Sequence, residues 1–311
     1  MIEIPESNTI SNQLNETIKG KKIVGVVTNN SPHRFAFFYE DDKEYPDMLK
    51  GKVIGDINAY GGQIEILVGE NPSNNKESNN KIDNNKIDNN NKIDNNKIDK
   101  NKEDNVIIAL GEDTQIRYIG KDEDIPEKHQ LLIRFDDSSS LVCKARLYAQ
   151  LHVAFINDYD NKYFLVAKEK PSPLSDDFNL KYFKDLLSEL NQNASVKSFL
   201  ATKQRIPGLG NGVLQDILFN AKIHPKTKVK KLSIEDQERL FRSIKNTLAE
   251  MTKYNGRNTE KTLFDDFGEY KVILSSKTFK IPCPVCGDKL VKESYLGGTI
   301  YYCPTCQKLD S

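Results

Sequence analysis

Four of the five cysteines in this 311-residue chain fall within its last 29 residues, as Cys283-Pro-Val-Cys286 and Cys303-Pro-Thr-Cys306. Sixteen residues separate the pairs, and Ser-Tyr-Leu-Gly-Gly between them reads as a hairpin turn joining two short β runs. Four thiolates gathered this way form a closed tetrahedral zinc site, which leaves no coordination position for a substrate and is therefore structural. An iron centre or free thiols are the alternatives. A disulfide framework would need an oxidising compartment, and the opening Met-Ile-Glu-Ile-Pro-Glu-Ser lacks the basic and apolar stretches of a signal peptide. No apolar run reaches the roughly 18 residues of a membrane span. The expectation is a cytoplasmic protein with no membrane association. Cys143, alone in an apolar strand, is expected to pack in a core.

Between residues 71 and 105 the composition collapses into Asn, Lys, Asp and Ile, with Asn-Asn-Lys-Ile-Asp repeated four times. One isoleucine in five residues buries too little apolar surface to offset chain entropy, so 71–105 reads as a disordered insertion. Around it lie runs rich in β-branched and aromatic residues, punctuated by Gly, Asn and Asp: KKIVGVVTNN, RFAFFYE, KVIGDINAYGGQIEILVG, NVIIALG, QLLIRFDD, SLVCKARLY and KYFLVAKE. With a helix-compatible stretch at about Ser7 to Lys19, they predict an N-terminal β-sandwich with a leading helix.

After KEKPSPLSDDFN the apolar spacing changes to three and four, through Tyr182, Phe183, Leu186, Leu187 and Leu190 and again through Leu232, Leu240, Ile244, Leu248 and Met251. That spacing predicts helices. The chain therefore divides into a β domain at 1–168, a helical domain at 172–260 and a β-hairpin zinc ribbon at 277–311. Charge follows the division. Residues 171–311 carry 22 basic and 16 acidic side chains, net +6, which leaves net −6 for the first part. A mildly basic C-terminal part is compatible with nucleic acid without requiring it.

Within the helical part, Gly208-Leu209-Gly210-Asn211-Gly212 directly precedes a helix. Glycines permit close backbone approach, and free amides at a helix start favour an anion such as a phosphate. On its own the pattern is equally a plain helix cap. The basic run beyond it (Lys222, His224, Lys226, Lys228, Lys230, Lys231) could reach a phosphate backbone or simply be solvated.

Read together, these segments resemble the formamidopyrimidine-DNA glycosylase and endonuclease VIII family, in the same order along the chain. The opening Met-Ile-Glu-Ile-Pro-Glu resembles that family's Met-Pro-Glu-Leu-Pro-Glu. EKHQLLIRFDD followed by Arg146-Leu147-Tyr148 resembles its strand pair ending Arg-Arg-Phe-Gly, and PLSDDF resembles its linker. IPGLGNGVLQDILFNAKIHP resembles its helix–two-turn–helix motif, and YYCPTCQK its zinc finger.

The resemblance implies a monomeric enzyme that binds duplex DNA containing damaged bases or abasic sites, flips the damaged nucleotide, and carries one structural zinc ion. Residue by residue it implies that Asn211, Gly210 and the surrounding amides hold a phosphate with Lys197, and that His129 contacts the DNA backbone. It implies further that Arg146 and Tyr148 fill the gap left by the flipped base. Glu3 matches the catalytic carboxylate, a task suited to a carboxyl whose pKa is raised by partial burial.

Three positions depart from the family pattern. Ile2 stands where the family's N-terminal proline forms a Schiff base, so the amine would be that of Met1, one residue out of place, or of Ile2 if Met1 is removed. Gly61 and Gly62 stand where the family has a hairpin lysine, and Gly298 where it has a finger arginine. Retained DNA-holding residues without these groups predict a glycosylase that is monofunctional or has weak lyase activity. The alternative is a catalytically silent protein that binds damaged or abasic sites.

Overall fold

The computed structural model describes residues 1–70 and 105–309. The Asn-rich stretch, except for Asn105, therefore lies outside the described residues.

Helix α1 (Ile4–Thr17) opens the chain, with Pro5 in its first turn. It begins before the expected Ser7, because a proline lacks only an N–H that the first turn leaves unpaired anyway. Next come β1 (Ile23–Thr28), β2 (Ala36–Phe38), a short α2 (Tyr45–Leu49), β3 (Val53–Tyr60) and β4 (Gln63–Gly69). After the insertion follow β5 (Val106–Ile119), β6 (Leu131–Phe135) and β7 (Ser140–Phe155).

The strands form one sheet in the order β1-β6-β7-β5-β4-β3, with β2 parallel beside β7. The long strands β5 and β7 run through both halves of the sheet, so β1–β6 and β3–β4 share one interior. Ile23, Ile64, Ile66, Leu131, Ile133 and Leu151 are buried there with Leu14 of α1, as is Cys143. Each such fully buried aliphatic side chain contributes about 2 kcal/mol relative to exposure.

Midway along the β5–β7 ladder the register shifts: Glu112 pairs with Ala149 and Thr114 with Ala145, so residues 146–148 face Asp113 alone. A bulge expels side chains from the ladder. Leu147 and Tyr148 are accordingly 48% and 47% exposed.

KYFLVAKE, read above as a strand, is instead helix α3 (Lys162–Glu169). The Asn161 side chain accepts the Phe164 N–H at 3.0 Å and caps it. Phe164 and Ala167, three apart, are buried whereas Tyr163 and Leu165 face solvent, which is helical periodicity beneath a β-rich composition.

The C-terminal part adds α4 (Leu180–Ser188), α5 (Val196–Ala201), α6 (Asn211–Asn220) and α7 (Ile234–Lys253). Phe183, Phe199, Leu214, Ile217, Leu240, Ile244 and Leu248 form its core, and Ile4 of α1 belongs to that core too. Helix α1 thus seals both interiors. The hairpin β8 (Val291–Tyr295) and β9 (Gly298–Tyr302) closes the chain, with Leu290, Tyr301, Cys283 and Cys303 packed against Phe219 of α6.

Candidate active site

The first residues of the chain lie where the sheet meets the helical part. The Ile2 N–H donates to the Glu112 carbonyl at 2.8 Å and the Ile4 N–H to the Gly208 carbonyl at 3.1 Å, so the segment is tied to β5 on one side and to the turn before α6 on the other. Met1, Ile2 and Glu3 line a cavity of about 310 Å³ with Gln63, Glu112, Pro207 and Gly210.

Ile2 turns its side chain into the sheet core. The Met1 ammonium is exposed and pairs with Glu260 at 2.7 Å and Asp113 at 3.5 Å. Glu112 holds a left-handed backbone, φ 53°, at the cavity edge. Withdrawal from water, and then the neighbouring Asp113 charge, push its carboxyl above the usual range.

Glu3 is only 3% exposed. Its Oε1 accepts the Gly212 N–H and its Oε2 the Val213 N–H, both at 2.9 Å. The N-terminus of α6 therefore binds an anion, as its amides favour, but the anion is the chain's own carboxylate. Of the amides expected to hold a phosphate, those of Gly212 and Val213 are engaged by Glu3. Beside Glu3 stands Arg257, also 3% exposed, a residue the sequence reading missed. Its Nε and Nη2 donate to Glu6 at 2.9 and 2.7 Å, and its Nη1 lies 3.5 Å from Glu3 Oε1.

Burial alone would raise the Glu6 carboxyl, but the Arg257 charge and hydrogen bonds outweigh it and hold it below the ordinary glutamate value. A depressed folded-state value means that Glu6 contributes stability above the unfolded value of about 4.3, and that this contribution fades as pH falls through the lower folded value. Urea midpoints measured from pH 7 downward should therefore drop below about pH 4.3. Glu6→Gln should start lower at neutral pH and follow a flatter curve.

The turn Gly61-Gly62 meets Pro207-Gly208 backbone to backbone. A Cβ at Gly62 would come within 2.8 Å of the Ile2 carbonyl, and one at Gly208 within 2.1 Å of the Gly62 nitrogen. This contact leaves no room for a side chain at Gly62.

A second group forms at the other face of α6. The buried Lys197 donates to the carbonyls of Tyr295 and, at 3.4 Å, Leu296 in the β8–β9 turn. Its burial lowers the ammonium pKa. Gly298 lies against the Asn211 amide, and any side chain there would press on it, since a Cβ would sit 2.9 Å from Nδ2. Asn211 opens on a further cavity of about 300 Å³ with Thr299 and Tyr301.

Of the basic run, Lys226 pairs with Glu293 of β8 and the His224 ring packs on Tyr302 at 4.3 Å, so part of it fastens the hairpin. His129 is buried, with Nδ1 2.8 Å from the Pro126 carbonyl and Nε2 without a partner among the described residues. Its neighbour Gln130 accepts the Ala145 N–H at 2.6 Å, beside the bulge. On the bulge itself, Arg146 pairs with Glu260 at 3.1 Å, and Tyr148 packs on Phe35 at 4.9 Å between ring centroids.

The Sγ atoms of Cys283, Cys286, Cys303 and Cys306 all lie within 4.8 Å of one another. Two of the separations are 3.8 and 3.4 Å, and a tetrahedron with metal–sulfur bonds of about 2.3 Å has edges of about 3.8 Å. The four thiols therefore suit one metal ion. Among the described residues no helix is long and apolar enough to cross a membrane.

Residues 170–262 match the family model described as the formamidopyrimidine-DNA glycosylase H2TH domain. The formamidopyrimidine-DNA glycosylase of Legionella pneumophila strain Paris is 30% identical over 209 residues, 66% of this chain and 74% of that protein. This chain belongs to the formamidopyrimidine-DNA glycosylase family. The enzyme of that name from the Wolbachia of Culex pipiens is 29% identical, over 99% of this chain and all of its own length. Among solved structures, Lactococcus lactis Fpg in complex with abasic-site DNA superposes with a TM-score of 0.75 at 21% identity, over 99% of this chain and the whole of that one. The formamidopyrimidine-DNA glycosylase fold is thus present from the N-terminal segment to the cysteine hairpin.

Proposed function

We propose that this chain, a DNA-repair glycosylase of the family that binds damaged DNA, releases the damaged base by hydrolysis without nicking the strand. The observation that carries the reading is Glu3, a buried carboxylate held at the wall of the 310 Å³ cavity beside the N-terminal segment. Glu3 takes a proton from a water whose oxygen bonds to the sugar C1′. The glycosidic electron pair leaves with the base, which is protonated from solvent.

An imine route is disfavoured by the chain's own residues: Ile2 is not a proline, its N–H is bonded to Glu112, and the Met1 ammonium is paired with two carboxylates. Asn211 and Lys197 hold a backbone phosphate. Arg146 and Tyr148, expelled by the bulge, enter the gap left by the flipped nucleotide, and His129 contacts the backbone beside them. The four cysteines would hold one structural zinc ion, and so held they would keep the β8–β9 turn against Lys197.

An end-labelled duplex panel of oxidised, alkylated, deaminated and abasic substrates, quenched with and without hot alkali, tests this. Strand breaks only after alkali support hydrolysis, and breaks without alkali restore an N-terminal amine nucleophile. The absence of lysine at 61–62 and of arginine at 298 favours a second reading, a silent binder of abasic sites. Tight binding with no product under either quench would establish it. In both readings Tyr148→Ala should weaken abasic-duplex binding about 5- to 150-fold in fluorescence anisotropy, the equivalent of about 1–3 kcal/mol of lost stacking.

A further inference from the structure

Arg257 follows Gly256, whose φ of 90° turns the chain out of α7. From that turn its guanidinium reaches three residues of the N-terminal segment. It donates to Glu6 through Nε and Nη2, and from Nη2 to the Met1 carbonyl at 3.2 Å. The Arg257 N–H adds a further bond to Glu6 Oε1 at 3.1 Å. A guanidinium presents its donors in one rigid plane, so the two bonds to Glu6 fix where the third nitrogen points. Nη1 is thereby aimed at Glu3, 3.5 Å away.

Room for this is made by Gly212, where a Cβ would come within 1.5 Å of Nη1. Three residues further along the same loop, Glu260 takes the Met1 ammonium. One loop thus grips Met1 at both its amine and its carbonyl.

We infer that Arg257 is a positioning residue of the reaction: it fixes the N-terminal segment so that the Glu3 carboxylate faces the cavity in one orientation. The spacing supports orientation over neutralisation. Glu6 receives the close bidentate pairing, while Glu3 is approached by Nη1 without a full hydrogen bond. A buried ion pair also adds little net stability compared with a well-packed apolar pair, so stability alone is a weak reason for its presence.

The inference rests on the glycosylase reading, and its test separates the two. Arg257→Met alone would strand two buried carboxylates and risk unfolding, so the decisive variant is R257M/E6Q, which removes the close pair together and should keep a near wild-type urea midpoint. On a lesion duplex that the wild type cleaves, its single-turnover rate of base release should fall about 100-fold, the usual cost of a misplacement near 1 Å. Its Kd for an abasic-site duplex should be unchanged. In an E3Q background the same pair of substitutions should cause no further loss of rate.

A folded R257M/E6Q with the wild-type rate would overturn the inference. So would equal losses of rate and abasic-site binding, or losses that multiply in the E3Q background, since either marks a merely structural role. A wild type that releases no base from any lesion duplex would overturn the glycosylase reading itself, and the positioning role with it.

Discussion

Glu3→Gln should lower the single-turnover rate of base release by about 100- to 10,000-fold, the range spanned by a lost general acid or base. It should also cost stability. Both Glu3 oxygens accept backbone N–H groups, and a glutamine must turn its NH₂ toward one of those donors, leaving a buried pair of donors face to face. The penalty is about 1–3 kcal/mol. The two effects separate by measurement: rate in a single-turnover assay, stability in urea, and Kd for an abasic-site duplex by anisotropy. An enzyme loses its rate far beyond what the unfolded fraction explains. A silent binder shows only the stability loss.

Cys303→Ser should be the other severe change. Cys303 is fully buried and lies in one hydrophobic cluster with Leu290, Tyr301 and Phe219 of α6. A closed four-thiolate zinc site supplies folding free energy outright, of order 10–16 kcal/mol in isolated fingers, and the serine variant lacks one ligand. The β8–β9 turn then no longer rests on Lys197 and Asn211, so abasic-duplex affinity should fall by well over 100-fold, while the helical signal from α4 to α7 is retained. Chelation of the wild-type protein should give the same pattern and be reversed by added zinc. Full affinity in zinc-free protein would refute the role given to the hairpin.

The hairpin was legible in the sequence because four cysteines at fixed spacing admit few geometries, and the β half because runs rich in β-branched and aromatic residues between Gly, Asn and Asp turns favour strands. Helix α3 was not. Tyr163, Phe164 and Val166 are individually strand formers, and the cap at Asn161 with the three-residue spacing of Phe164 and Ala167 pointed to a helix. In the site, Glu3 was legible through its place in a family motif, whereas its partners were not. Arg257 sits in Asn-Gly-Arg-Asn-Thr with no periodicity around it, and its bonds span 251 residues to Glu6. The Gly-rich turn left a phosphate site and a plain helix cap equally open, and gave no sign that Glu3, 209 residues away in sequence, accepts the Gly212 N–H. Local pattern carries no information about partners so far apart.

That separation has a consequence for how the protein is made. Helix α1 leaves the ribosome well ahead of its partners, yet Ile4 belongs to the core of the helical part and Glu3 and Glu6 face the Arg257 guanidinium. Contacts this distant are closed late and slowly. The leading helix should therefore lie loosely on the young sheet, held by Ile10 and Leu14, while more than two hundred further residues are added. Its first turn, and with it the cavity, takes final shape only when α7 is complete. Nascent chains arrested before Arg257 should expose the opening residues to protease, and those arrested beyond the cysteine hairpin should shield them.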